Sequence, residues 1–123
     1  MRWKPLDSQL PAAHDVQIHG IERGYSRDRR SYYVSQVGGV ADGASWWMSR
    51  SEACGLIQSG EKAFYLMTAD GVHTPVLAEP GESYWPYLTT PADGRTDNNL
   101  LALPKLHTVP GFRRAVLEPD PFA

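Results

Sequence analysis

The stretch SRSEACGLIQSG, residues 49–60, decides the fold because it carries the strongest local signal in the chain. Ser49 and Glu52 have the spacing of a capping box, in which each side chain satisfies a free backbone N–H of the first helical turn. Gly60 stands where a left-handed residue ends a helix. Apolar residues recur at helical spacing on one face, at Ala53, Leu56 and Ile57. The stretch predicts a helix over 49–59 with one buried face.

Two segments before this helix are typical of β-strands. Residues 15–23 nearly alternate between apolar and polar side chains, and residues 30–37 are rich in strand formers such as Tyr32 and Tyr33. The polar residues 24–30 between them predict an antiparallel hairpin.

Three short strands are predicted after the helix, over residues 62–67, 72–77 and 84–90. Turn signals separate them, and Pro75 favours an edge position for the second. The order β-β-α-β-β-β predicts an α+β domain, in which a small antiparallel sheet has one helix packed on one face.

The length and composition indicate one globular domain. The chain has 123 residues, of which 41% are hydrophobic and 21% charged, close to the average for globular proteins. We predict a single domain over residues 15–104. Residues 1–14 are expected to form an extended N-terminal arm, mobile unless Trp3 docks on the domain, and residues 105–123 a C-terminal surface tail.

Charge and cysteine content exclude several classes. The single cysteine excludes an intrachain disulfide and a cysteine-based zinc site. The chain contains neither an apolar run of membrane-spanning length nor the apolar core of a secretory signal, so we expect a cytoplasmic protein that does not bind membranes. The net charge of −2 does not indicate nucleic-acid binding. Residues 1–50 carry seven basic and five acidic side chains, whereas residues 51–104 carry two and seven.

The sequence also shows a resemblance to a known protein family. The residues that carry it are Trp47, residues 57–60, Phe64 with Tyr65, and the closing run at 87–90, 93–94, 98–101 and 103–104. Over about residues 15–104 the chain resembles the domain-of-unknown-function 3892 family of small, mainly bacterial proteins. The resemblance implies a single small domain with an opening hairpin, and it implies no activity.

The polar run at residues 93–99 has two interpretations. Asp and Asn side chains hydrogen-bond to their own backbone, so they can hold a long loop in one shape. The same side chains can instead present a polar ligand site. The run lacks the residue spacing of a calcium loop.

No arrangement of residues in the sequence indicates catalysis. The chain lacks a nucleophile elbow, a phosphate-binding loop, a dinucleotide fingerprint and a zinc-protease motif. Cys54 is near the start of the predicted helix, where a thiol pKa can fall, and His73 is the one reasonable partner. A buried, inert cysteine is the simpler interpretation. We therefore expect a protein that is not an enzyme and that uses no cofactor or metal.

The hairpin is the best candidate for a binding site. Five of its residues are arginine or tyrosine within a short segment, followed by a further tyrosine: Arg23, Tyr25, Arg27, Arg29, Arg30 and Tyr32. Trp46 and Trp47 are adjacent, so on an extended segment their rings point to opposite sides. The resemblance implies that Trp47 lies in the core, which leaves Trp46 exposed or in an interface.

Exposed arginine, tyrosine and tryptophan are typical of protein interfaces. We therefore predict an interaction module that binds a protein partner or a second copy of itself through these side chains. Nucleic acid is the alternative partner, because guanidinium groups bind phosphates while tyrosine rings stack on bases.

Overall fold

The computed structural model describes residues 1–80, 86–91 and 99–119. In chain order, the strands and the helix are β1 (Arg2–Pro5), β2 (Asp15–Gln17), β3 (Gly20–Ser26), β4 (Ser31–Ala41), β5 (Ala44–Ser49), α1 (Arg50–Ser59), β6 (Ala63–Met67), β7 (His73–Pro75), β8 (Leu77–Glu79), β9 (Tyr87–Thr89) and β10 (Ala115–Glu118). Two short 3-10 helices, Asn99–Ala102 and Leu106–Thr108, lie between β9 and β10.

Within the described residues, the strands form four small sheets. β3, β4 and β5 make an antiparallel meander, and β6 pairs with β2 on one side and β7 on the other. The remaining pairs are β8 with β9 and β1 with β10. All pairs are antiparallel except β2 with β6. The predicted α+β class is confirmed, and the predicted hairpin corresponds to β3 and β4.

The strand predicted at 15–23 is two strands in the structure, β2 and β3, which belong to different sheets. The backbone N–H of Ile18 donates to Tyr65 O at 2.8 Å, whereas the next N–H, that of His19, donates to Gly38 O at 2.9 Å. Successive backbone amides thus bond to β6 and to β4. The segment predicted at 72–77 divides similarly, with β7 pairing with β6 and β8 pairing with β9.

Helix α1 begins and ends as its sequence predicts. The Ser49 hydroxyl accepts a hydrogen bond from the backbone N–H of Glu52 at 3.1 Å. Gly60 adopts the left-handed conformation with φ 78°, and its N–H donates to Ile57 O at 3.1 Å. Ala53 and Cys54 are buried in the core beneath the helix.

The C-terminal segment covers the face of β3 and β4 that lies opposite the helix. Leu106 is fully buried and Val109 nearly so. The two glycines beneath them permit this approach, because a Cβ on Gly20 would lie 2.7 Å from Cγ2 of Val109 and one on Gly38 would lie 2.9 Å from Cδ2 of Leu106. The boundary at residue 104 stays a prediction, and the structure shows that residues beyond it contribute buried side chains.

The N-terminal arm is held by hydrogen bonds to the backbone of strand β5. Gln9 N–H donates to Ser45 O at 3.0 Å, and the Ser8 hydroxyl both donates to Trp47 O and accepts from Trp47 N–H at 2.7 Å. Trp3 is 70% exposed. The arm is therefore anchored without docking of the Trp3 ring.

Candidate functional site

The β3–β4 hairpin is built around a tight turn. Ser26 and Ser31 are the last paired residues, and residues 27–30 connect them. Arg30 has φ 50°, a left-handed conformation that closes the turn. The Ser26 hydroxyl accepts from Arg29 N–H at 3.4 Å.

Two tyrosines face each other just below the turn. Tyr25 and Tyr32 are direct partners across the strands. Their ring centroids are 5.0 Å apart with an interplanar angle of 61°, the edge-to-face geometry that aromatic rings prefer. Tyr25 is 53% exposed and Tyr32 63% exposed. The pair forms a compact aromatic surface open to solvent.

The turn adds positive charge beside these rings. Arg27, Arg29 and Arg30 are exposed, and Asp28 is the one acidic residue among them. Among the described residues, neither Arg27 nor Arg30 takes part in the ion pairs that the structure shows. We call Tyr25, Arg27, Arg29, Arg30 and Tyr32 the hairpin tip.

The base of the hairpin is fixed to the helix on its other face. Tyr33 points away from the Tyr25–Tyr32 side, and the guanidinium of Arg50 lies 5.1 Å from the centroid of its ring. A Cβ at Gly24 would overlap the Tyr33 ring, so glycine here lets the ring lie over the opposite strand in this position. The contact at Tyr33 orients the hairpin tip relative to the body.

Arg23 is half-buried and takes part in this support, while its predicted role in partner binding stays a prediction. Its guanidinium is partly buried and donates to Leu101 O and, at 3.2 Å, to Leu103 O. These charge-assisted hydrogen bonds hold the first 3-10 helix against β3. Arg23 therefore has a structural role.

The prediction for the tryptophan pair is wrong, because Trp46 is the buried ring and Trp47 the more exposed one. Trp46 is fully buried and stacks on Phe64, with centroids 5.7 Å apart. Trp47 lies half-buried on the other face, where the guanidinium of Arg114 is 5.2 Å from its ring centroid and Phe112 is edge-on to it. Trp46 is a core residue and cannot contact a partner.

The titratable residues considered for catalysis are not assembled into a site. Burial raises the pKa of the Cys54 thiol, and the charge of Arg50 opposes this shift. His73 stacks on Tyr65 with centroids 4.7 Å apart. Burial lowers the pKa of His19, whose Nδ1 accepts from Val40 N–H at 3.3 Å. Within the described residues, no group of three or more His, Cys, Asp or Glu side chains is placed to hold a metal ion.

Some of the predicted features involve residues that the structure does not describe. The polar run at 93–99 lies outside the described residues except for the backbone of its last residue, and the first two residues of the strand predicted at 84–90 also lie outside. Sequence reasoning missed the exposed pair Trp3 and Leu117 on strands β1 and β10. The alternation of Arg2, Trp3 and Lys4 was the available signal, since it is typical of an exposed strand.

Comparison of the chain with protein-family models, with curated proteins and with solved structures finds no match in any of the three. The family resemblance of residues 15–104 stays a prediction. Among the residues that the structure describes, no helix has the length and apolar character that crossing a membrane requires.

Proposed function

We propose that this protein is a non-enzymatic interaction module whose hairpin tip binds an acidic segment of a partner protein. The observation that carries the proposal is the solvent-exposed Tyr25–Tyr32 pair beside three exposed arginines in the turn. Tyrosine and arginine are the side chains that contribute most to protein interfaces. Because Tyr33 and Arg23 fix the base of the hairpin, little ordering of the backbone is needed on binding.

The charge of the tip selects the kind of partner. Three arginines and Asp28 give the turn a net charge of +2, so two tips of the same protein would repel each other. Carboxylates suit guanidinium groups because a planar fork of N–H donors binds both oxygens. The aromatic pair adds apolar contact beside these ion pairs, which favours a segment that mixes acidic and apolar side chains.

Nucleic acid is the second candidate, since arginines beside exposed rings also suit phosphates and bases. Two features favour the protein partner. The edge-to-face contact between Tyr25 and Tyr32 covers one face of one of the two rings, which reduces the ring surface on which a base could stack. The net charge of −2 on the whole chain gives no long-range attraction for a polyanion. The proposal includes a cytoplasmic location.

Site-specific photocrosslinking tests the proposal. A benzophenone amino acid replaces Tyr32 in one variant and Tyr87 in a matched control, because Tyr87 is an exposed tyrosine on β9, outside the tip. Both variants are irradiated in nuclease-treated cell extract. We expect a protein adduct from position 32 that is absent from position 87 and disappears with Arg27→Gln. Equal adducts at both positions, or an adduct at position 32 that forms only with intact nucleic acid, would overturn it.

A further inference from the structure

A cleft lies between three segments that are far apart in the sequence. Its walls come from residues 6–9 of the N-terminal arm, residues 43–45 at the turn from β4 to β5, and residues 111–116 before and within β10. Its volume is about 490 Å³, within the range of about 300–1,000 Å³ that is typical of small-molecule sites. We call this space the arm cleft.

Hydrogen bonds fix the walls of the arm cleft. Gln9 N–H donates to Ser45 O at 3.0 Å, and Leu6 N–H donates to Arg114 O at 2.8 Å. The buried Ser45 hydroxyl accepts from the backbone N–H of Arg113 at 2.8 Å. Because each wall is bonded to a neighbouring wall, the cleft is formed before any ligand binds.

Two opposite charges line the arm cleft without pairing with each other. Asp7 belongs to the N-terminal arm and Arg113 to the C-terminal segment, and both residues are exposed. Among the described residues, neither side chain takes part in an ion pair or a side-chain hydrogen bond. The carboxylate and the guanidinium are thus both available to a ligand.

Apolar side chains form another part of the lining. Leu6, Ala44 and Val116 line the arm cleft, and each is half-buried. Their remaining exposed surface lies beside the two charges, and covering it with an apolar group of a ligand favours binding. The lining therefore suits a small molecule that carries both charges and an apolar part.

We propose that the arm cleft binds a free α-amino acid with an aliphatic side chain. The guanidinium of Arg113 binds the α-carboxylate, since its planar fork of N–H donors matches two carboxylate oxygens. The carboxylate of Asp7 accepts hydrogen bonds from the α-ammonium group, and the aliphatic side chain packs on Leu6 and Val116. A ligand with only one of the two charges gains only one of these ion pairs, so the lining selects a zwitterion. The inference is independent of the proposed function, because the arm cleft and the hairpin tip share no residue.

Titration of the isotope-labelled full chain with L-leucine, followed through the backbone amide signals in NMR spectra, tests the proposal. We expect saturable shifts at Ala44, Ser45 and Gly111 in the cleft and none at Tyr25 or Tyr32 in the hairpin tip. Isocaproate lacks the ammonium group of leucine, isoamylamine lacks its carboxylate, and glycine lacks its side chain. Each of these probes should bind at least about fivefold more weakly than leucine. Absence of saturable shifts in the cleft, or a probe that binds as tightly as leucine, would overturn the proposal.

Two substitutions test the charges of the cleft separately. Asp7→Asn and Arg113→Gln each remove one charge at an exposed position, where substitutions change stability little. Each should weaken leucine binding at least about fivefold. The matched controls are Asp28→Asn and Arg27→Gln in the hairpin tip, which should bind leucine like wild type. A cleft variant that binds leucine as tightly as its control would contradict the proposal.

Discussion

The indole of Trp46 stacks on the ring of Phe64, which joins strand β5 to strand β6 across the core. The two centroids are 5.7 Å apart and the planes are inclined by 25°. β5 and β6 belong to different sheets, so this contact links two sheets that share no strand pairing.

Trp46→Ala should lower the free energy of unfolding by about 3–5 kcal/mol, because it deletes a large buried ring and leaves a cavity. The control is Trp3→Ala at an exposed position, which should change stability by less than about 0.5 kcal/mol. Denaturant unfolding measures both. A small, equal effect of the two substitutions would mean that Trp46 is not a core residue.

Leu106→Ala should destabilise the fold by about 2–5 kcal/mol, because Leu106 is fully buried over Gly38. Leu117→Ala removes the same side chain from an exposed position of the same C-terminal segment and should have little effect. If Leu106→Ala destabilised the fold no more than Leu117→Ala does, the segment beyond residue 104 would be a surface tail, as predicted from the sequence.

Arg23→Gln should cost about 1–3 kcal/mol, because two backbone carbonyls lose a charged donor. The loss should be local, so hydrogen exchange of Leu103 N–H, which donates to Leu100 O at 3.1 Å, should quicken. Arg27→Gln in the turn removes the same charge without these bonds and serves as control. Unchanged exchange at Leu103 in the Arg23 variant would exclude the anchoring role.

Stability should fall with acidification through the ordinary histidine pKa, because burial lowers the pKa of His19. The unfolded chain then binds a proton near pH 6.5 while the folded chain resists it, so stability present above about pH 6.5 is lost as the pH falls toward the folded-state pKa. The slope contributed by one histidine is at most about 1.4 kcal/mol per pH unit.

His19→Gln should flatten this part of the stability–pH curve, measured by urea unfolding between neutral and mildly acidic pH. His107→Gln, at an exposed position, is the matched control and should leave the slope in place. A curve that keeps its slope in the His19 variant would assign the pH dependence to another group.

Local signals in the sequence predicted local structure well. The capping residues Ser49 and Gly60 determine where α1 begins and ends through bonds to near neighbours, and the strand-forming residues around Tyr32 predicted the second strand of the hairpin. Such features depend on residues a few positions apart, so they can be derived from the sequence.

Features that depend on distant contacts could not be predicted in the same way. A period of two places Trp46 and Trp47 on opposite faces, but both faces of β5 are covered, one by the core under α1 and one by the segment that carries Arg114. The segments that cover the two faces of β5 determine which of the two rings is fully buried. The burial of Arg23 likewise depends on a 3-10 helix some eighty residues away.

Arg30→Gly should remove a charge from the hairpin tip without lowering the stability of the fold. Arg30 is left-handed, a conformation that costs a side-chain-bearing residue about 1–2 kcal/mol and glycine little, while glycine loses more entropy on folding, by about 0.5–1 kcal/mol. The substitution should therefore leave stability unchanged or raise it by up to about 1.5 kcal/mol, as thermal unfolding would show. A clear loss of stability would mean that the Arg30 side chain supports the turn.

The affinity of the captured protein partner for two charge-matched double variants tests the central claim most directly. One variant carries Arg27→Gln and Arg30→Gly in the hairpin tip, and the other carries Arg2→Gln and Lys4→Gln in strand β1, both titrated after nuclease treatment. We predict that the tip variant binds at least about tenfold more weakly and that the β1 variant binds like wild type. Equal affinities for the two variants would contradict the assignment of the hairpin tip as the binding site.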